Sequence, residues 1–460
     1  MTLTPVRPAA PQHASSGTHA VGPARRAPWL SPSVVLGTCI AGWPVVWVFG
    51  LTQFVFIAVA LLLGYDLLRR EHIRTPPGFI FWVLFLAVVL LSVTAMEATP
   101  PGTITGTGFG RYAAFAIRFL NYASTSVIML WVGNTSEREL PRLRIVLWIA
   151  LLGVWTILLG FLALAAPHAS VPTVMSFVLP SGVTDLLGDG GSRASLAQVQ
   201  TVLGSSAPRP AAPFDFTNAW GCVLSLALIA MALVALNSRR LWVRLGLGAL
   251  ALASIVPIVY SLNRGMWIGL GLSVVYIAVR LAARGRVLAI GALALAVGIA
   301  GIVFIASPLQ GLVTSRLDHG QSNGIRSSLG TASLDGALHS PITGYGSTRQ
   351  TIGSDASITI GKTQDCPRCG NRNIGSTGQF LLLLIAQGFV GTGLYVLYFV
   401  RTFWAYRHDA SPLGIGASLI VLLTLWYGFF YTALTMPLVI AFLAIALLWR
   451  NSLVRSSADA

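Results

Sequence analysis

Arg264 sits in Tyr260-Ser261-Leu262-Asn263-Arg264-Gly265-Met266-Trp267, a turn between two long apolar runs. An ionisable residue at the edge of a bilayer core is costly, and its presence there points to function. A guanidinium keeps its charge in such surroundings and grips phosphate through parallel N–H donors, so a phosphate-bearing anion is the ligand that suits it. Arg326 and Arg209 are the second and third candidates for that anion. His339 changes charge near neutral pH and is a candidate base; Asp335 and Asp318 are weaker candidates for the same work. Asn218 stands where an apolar run begins and could cap a helix or orient a loop. Arg118 falls inside an apolar run, Phe115-Ala116-Ile117-Arg118-Phe119-Leu120-Asn121. It must face the interior, either to touch a lipid phosphate or, the favoured reading, to pair with Glu97 or Asp66. No convincing cluster of carboxylates is set to hold a metal, and no cofactor is expected.

The elements that position these residues are membrane helices. The 460-residue chain has 10% charged residues and a mean hydropathy of +0.75, whereas soluble domains carry about 25% charged residues. Lipid leaves backbone groups no partners but one another, so long continuous apolar runs mean helices. An all-α, polytopic chain of about twelve transmembrane helices is expected, over 33–49, 52–68, 78–96, 111–133, 145–166, 217–236, 245–262, 266–283, 287–306, 377–400, 412–434 and 436–449. The formal charge of +16 does not argue for nucleic acid. Much of it marks topology, in short turns carrying Arg69, Arg70 and Arg74; Arg138, Arg142 and Arg144; Arg239, Arg240 and Arg244; Arg280, Arg284 and Arg286; Arg401 and Arg407; Arg450 and Arg455. The positive-inside rule puts all of these in the cytoplasm, and an even helix count puts both termini there too.

This organisation gives a cytoplasmic tail over 1–32, N-terminal transmembrane helices over 33–166, central ones over 217–306, C-terminal ones over 377–449, and a second cytoplasmic tail over 450–460. Two long extracytoplasmic loops, 167–216 and 307–376, separate them, and loops of that length are commonly functional. Ser192 to Leu203 has helical potential in the first loop. In the second, Ser327 to Leu338 can form a surface helix directly after Arg326, with Leu329, Ala332, Leu334 and Leu338 as its apolar residues. Pro257 can kink the helix before Arg264. Cys39 and Cys222 read as small buried residues. Cys366 and Cys369 form half of a zinc knuckle without a second half, and a disulfide is preferred over a free or metal-bound pair. Tyr345, between Gly344 and Gly346, reads as a simple glycine turn or as an aromatic face for stacking on sugar.

Three stretches together resemble the O-antigen ligase and polymerase superfamily of polytopic bacterial glycosyltransferases. They are Arg209-Pro210-Ala211-Ala212-Pro213-Phe214 with Thr217-Asn218-Ala219-Trp220; Ser261 to Trp267; and Arg326 through His339-Ser340-Pro341 to Gly344-Tyr345-Gly346. Their order and spacing cover roughly residues 200–400. The resemblance implies transfer of a glycan from an undecaprenyl-pyrophosphate donor to an acceptor hydroxyl, on a glycan or glycolipid, at the outer face of the plasma membrane. It gives Arg264, Arg326 and His339 the catalytic roles and Arg209, Asn218 and Tyr345 contacts to substrate, with Arg118, outside these stretches, a further candidate contact. One departure stands out: Thr377 occupies the place where the family usually has a histidine that activates the acceptor. The alternatives are a repeat-unit polymerase of the same fold, a transporter or flippase of lipid-linked glycans, and a non-catalytic relative. A transporter would carry paired broken helices and internal symmetry, and only Arg118 speaks for it.

Overall fold

The computed structural model describes residues 31–104, 108–179, 189–201, 206–305, 310–311, 313, 321–351, 373–432 and 435–456. The helices are α1 (Pro32–Ala41), α2 (Trp43–Phe49), α3 (Val55–Leu68), α4 (Phe79–Leu91), α5 (Gly110–Asn134), α6 (Arg142–Ala165), the short α7 (Val174–Val178), α8 (Thr217–Asn237), α9 (Leu241–Ala253), α10 (Ile255–Tyr260), α11 (Arg264–Ala282), α12 (Val287–Ile305), α13 (Gln321–His339), α14 (Gln379–Tyr406), α15 (Pro412–Tyr427) and α16 (Met436–Ser456). Among the described residues, seven helical segments are long and apolar enough to cross a membrane, and the bent pair α1–α2 makes up to eight. Four further apolar helices are shorter: α3, α4 with its continuation to Ala95, the 287–302 part of α12, and α15. Each anticipated apolar stretch is therefore helical, while fewer than twelve reach spanning length unaided.

Two of the expected helices are broken at prolines. The stretch 33–49 bends by 76° between α1 and α2, where Gly42 and Pro44 fall together. Proline lacks an N–H and its ring clashes with the carbonyl four residues back. The same clash ends α9 at Ala253, four residues before Pro257, and α10 restarts at Ile255.

The chain is mostly helical, in keeping with an all-α membrane protein, and the correction falls on its first long loop. The first long loop carries two antiparallel ribbons, β1 (Ser170–Pro172) with β2 (Arg193–Ser195), and β3 (Ala197–Thr201) with β4 (Ser206–Pro210). Ser192 to Leu203, anticipated as helix, instead supplies β2 and β3. Gln198-Val199-Gln200-Thr201 alternates with a period of two, and its partner strand sets Val199 against Pro208 and Gln198 against Arg209. Prolines are tolerated there because each ribbon has only edge strands.

The core gathers around α16, whose membrane-length window is 83% buried, whereas those of α9–α10 and α11 are 22% buried and lie outermost. A helix apolar on every side is stable in either place, enclosed by other helices or facing lipid. Beneath the end of the bundle that bears Arg264, Trp82, Phe85, Tyr122, Tyr395, Phe399 and Phe442 form an aromatic layer. Tyr122 stands edge-on to Phe85 at 5.2 Å and to Trp82 at 6.0 Å, and Trp82 Nε1 donates to Ser126 Oγ at 2.7 Å. Edge-to-face pairs of this kind fix ring orientation as well as burying area.

The surface helix is longer than anticipated. α13 begins at Gln321, so Arg326 lies within it rather than ahead of it. It lays Leu329, Ser333, Gly336 and Ala337 against α14, while Leu334 and Leu338 are exposed. The buried set recurs at helical spacing, and the exposed leucines give the helix a second apolar side.

Candidate functional site

The Ser261–Arg264 turn is built from long-range contacts. Leu262 adopts a φ of 51°, a left-handed conformation that side chains rarely take and that functional turns concentrate. It lets Ser261 present its carbonyl to Arg209, whose Nε donates to it at 2.6 Å. Asn263 caps α11, with its Oδ1 accepting from Met266 N at 3.4 Å. The Tyr431 hydroxyl also donates to that Oδ1. Two indoles clasp the turn: Trp267 Nε1 donates to Ile258 O at 3.1 Å and Trp426 Nε1 to Gly265 O at 3.0 Å. Arg264 is the first residue of α11, where a cation opposes the helix dipole. Placement against that gradient is unfavourable for a purely structural arginine and suits one that helps hold an anion.

Tyr431 joins this turn to three other regions. The guanidinium charges of Arg326 and Arg209 act on its hydroxyl, which is bonded to Asn263. Arg209 and Arg326, more than a hundred residues apart in sequence, thus act on one side chain, which is bonded to Asn263, the neighbour of Arg264. The Tyr431 carbonyl accepts Gln379 N at 2.9 Å and the Gly428 carbonyl accepts Phe380 N at 2.9 Å. The turn between α15 and α16 thereby satisfies the start of α14. Gln379 Nε2 donates to the Tyr122 hydroxyl at 2.8 Å, and Tyr122 lies one turn from Arg118 on α5.

Arg118 makes neither of the ion pairs anticipated for it. Glu97 is held by Arg111 at 2.6 Å and by the Tyr112 hydroxyl. Asp66 is held by Arg70 at 3.2 Å and by Trp131 Nε1 at 3.0 Å. Arg118 Nη1 is buried with no hydrogen-bond partner among the described residues, and so are Asn263 Nδ2, Thr377 Oγ1 and Asp215 Oδ1. Buried polar atoms are normally paired. These four come from four separate segments at the same end of the bundle.

Three anticipated residues have other positions. His339 ends α13, thirteen residues from Arg326, which is about 20 Å at 1.5 Å per residue. It is exposed, and its Nδ1 meets the Asp335 carbonyl at 2.9 Å. Tyr345 is buried with Leu329, Ile374, Ile385 and Ala386 and offers no open face. Its glycine turn fills a break in α14 at Gly388 (φ 65°). Tyr345 N donates to Ile385 O and Gly346 N to Ala386 O, both at 2.9 Å, and Phe389 N donates to Pro341 O at 2.8 Å. Asn218 is the second residue of α8. The cap position belongs to Phe216, which makes no side-chain cap bond, and Asn218 makes no side-chain hydrogen bond among the described residues. Cys366, Cys369 and Asp318 lie outside the described residues.

Sequence reading gave no role to Tyr431, Gln379 or Asp215, because nothing local marks them. Arg349 was visible only as a loop charge. It is buried and ties the second loop to the end of α4, through Nη2 to Met96 O at 2.6 Å and Nη1 to Ser347 Oγ at 2.5 Å. A cleft of about 400 Å³ lies at the other end of the bundle, lined in part by His72, Arg74, Glu137 and Arg450. Its buried arginine is already engaged, since Arg450 Nη2 reaches Glu137 at 2.8 Å and Leu140 O at 2.7 Å.

Compared with protein-family models, curated proteins and solved structures, the chain matches none. Its function is therefore argued from its own residues.

Proposed function

We propose that this chain is a membrane glycosyltransferase of the O-antigen-ligase type. It transfers a glycan from undecaprenyl pyrophosphate to an acceptor hydroxyl at the outer face of the plasma membrane, in the assembly of a surface polysaccharide. The supporting observation is that Arg209 and Arg326 act on Tyr431, whose hydroxyl is bonded to Asn263, the neighbour of Arg264, so that the three motif stretches converge on one turn. A sugar pyrophosphate is already activated, so the catalyst has mainly to stabilise charge growing on the departing oxygen. Preorganised guanidinium groups in a site screened from water do this. Arg118 extends the set of cations down α5 toward the depth at which a polyprenyl chain would lie.

This reading includes twelve crossings, with Arg264 on the outer side and every arginine-rich turn in the cytoplasm. A repeat-unit polymerase would use the same donor chemistry and differ in its acceptor. The polar face of α5 at Arg118, Asn121 and Tyr122 favours a carrier of lipid-linked glycans as the second reading. The lipid-linked pool in cells depleted of the protein separates these. Long glycans building up on the carrier are the expected result, and single repeat units would make the protein a polymerase. An unchanged pool would overturn the transferase reading and favour the carrier.

A further inference from the structure

The cleft of about 400 Å³ at the far end of the bundle lies between the ends of two membrane-length helices. The spanning part of α5 ends at Asn134 and that of α16 at Val454, and both residues line the cleft. Asn134 is sixteen residues along α5 from Arg118, about 24 Å at 1.5 Å per residue. This space is therefore separate from the arginines around Tyr431.

Its cations are held in place with donors to spare. Arg74 is fixed through its backbone, where its N donates to Asn134 Oδ1 and its carbonyl accepts Asn134 Nδ2, both at 2.9 Å. Its guanidinium makes no hydrogen bond or ion pair among the described residues. The Arg450 side chain is 5% exposed. Arg450 Nη2 is engaged by Glu137 and Leu140 O, but Nη1 is buried with no hydrogen-bond partner among the described residues. Buried donors are normally paired.

The negative groups of the cleft are already covered. Glu137 accepts Arg142 Nε at 3.1 Å and Arg142 N at 2.9 Å as well as Arg450. The carbonyl end of α5 carries partial negative charge, and Arg70 Nη1 covers the Asn134 carbonyl at 2.5 Å. Arg74 and Arg450, with His72 beside them, thus line the cleft against one carboxylate that two arginines share. That balance favours an anion, and guanidinium donors suit phosphate.

The position of the cleft says which phosphate. Where two spanning helices end, the surroundings are lipid headgroups, and basic pockets between transmembrane helices take anionic ones. Leu453 and Val454 give the cleft an apolar side, with Val454 exposed. A free phosphate has no use for that side, whereas a phospholipid lays its glycerol and chains along it. We propose that this cleft binds the headgroup of an anionic phospholipid from the adjoining leaflet, with the phosphate on Arg74 and Arg450. The site does not depend on the transferase reading.

The test follows the melting temperature of the full-length protein in a neutral detergent at constant ionic strength. Dioctanoyl phosphatidylglycerol, dioctanoyl phosphatidylcholine or sodium phosphate is added in increasing amounts. A ligand of the folded protein raises the melting temperature by mass action. Phosphatidylglycerol should raise it, and the other two should not. Arg74→Gln should melt like the parent without lipid, because the guanidinium bonds nothing in the fold. It should need roughly tenfold more phosphatidylglycerol for half the rise, a comparison that holds even where the two proteins melt at different temperatures. No rise, an equal rise with phosphatidylcholine, or a parental response in Arg74→Gln, as for lipid held elsewhere, overturns the site. An equal rise with inorganic phosphate overturns its assignment to a lipid.

Discussion

At the scale of single residues, position relative to Tyr431 separates the arginines and the histidine. Arg264→Ala should abolish transfer while the protein still inserts. Arg264→Lys should also be poor, because a point charge does not reproduce a two-pronged guanidinium contact. His339→Ala should transfer within about twofold of the parent, since the imidazole is exposed and bonded only within its own helix. Consumption of the lipid-linked glycan donor in proteoliposomes checks all three, and a fully active lysine variant or an inert His339→Ala would reverse the corresponding assignment. Arg209, Arg264 and Arg326 were legible in the sequence because each belongs to a short motif of recognisable chemistry. Tyr431 was not. The Tyr431 hydroxyl finds its partner in Asn263, a contact that only the tertiary fold brings about.

At the scale of elements, the helix break at Gly388 explains Gly344-Tyr345-Gly346, which the sequence offered as a simple glycine turn or as a face for sugar. Breaking a helix inside an apolar bundle exposes N–H and C=O groups that must find partners. The turn Gly344-Tyr345-Gly346 and the Pro341 carbonyl supply those partners, which is why Gly-x-Gly appears there. The spacing was readable from sequence, but its purpose was not, because the gap it fills lies in another element. A Cβ on Gly388 would come within 2.4 Å of Pro341 O, and one on Gly344 within 2.5 Å of Ala386 C. Both obstacles are backbone, and both glycines have positive φ, 65° and 59°. Gly388→Ala should therefore destabilise the protein by about 2 kcal/mol or more, lowering its melting temperature in detergent and loosening α13 from α14. Exchange protection of α13 amides reports the second effect. Unchanged melting and protection would mean that the junction yields without loss.

At the scale of the whole molecule, the number of crossings decides whether the arginine map makes sense. Helix existence was legible because apolar runs leave the backbone one solution. Crossing is harder to read. The 14 residues of α3 and the 16 of α15 rise about 21 and 24 Å, short of a core of about 30 Å. Their flanks and the local bilayer must absorb the difference, at a modest cost per ångström. If α3 stayed on one side, every later arginine-rich turn would change sides, and Arg264 would face the wrong compartment for a lipid-linked donor at the outer surface; if α15 did, Arg450 and Arg455 would change sides. Single cysteines placed at Glu71, Arg193 and His408, in a background lacking the native ones, test the crossing by α3 and those between these positions. Three crossings, by α4, α5 and α6, separate the first position from the second, and eight separate the first from the third. Glu71→Cys and His408→Cys should react with a membrane-impermeant maleimide only after the cells are opened, and Arg193→Cys in intact cells. Reaction of all three from the same side would refute the twelve-crossing arrangement, and with it the placement of the Arg264 turn at the outer face.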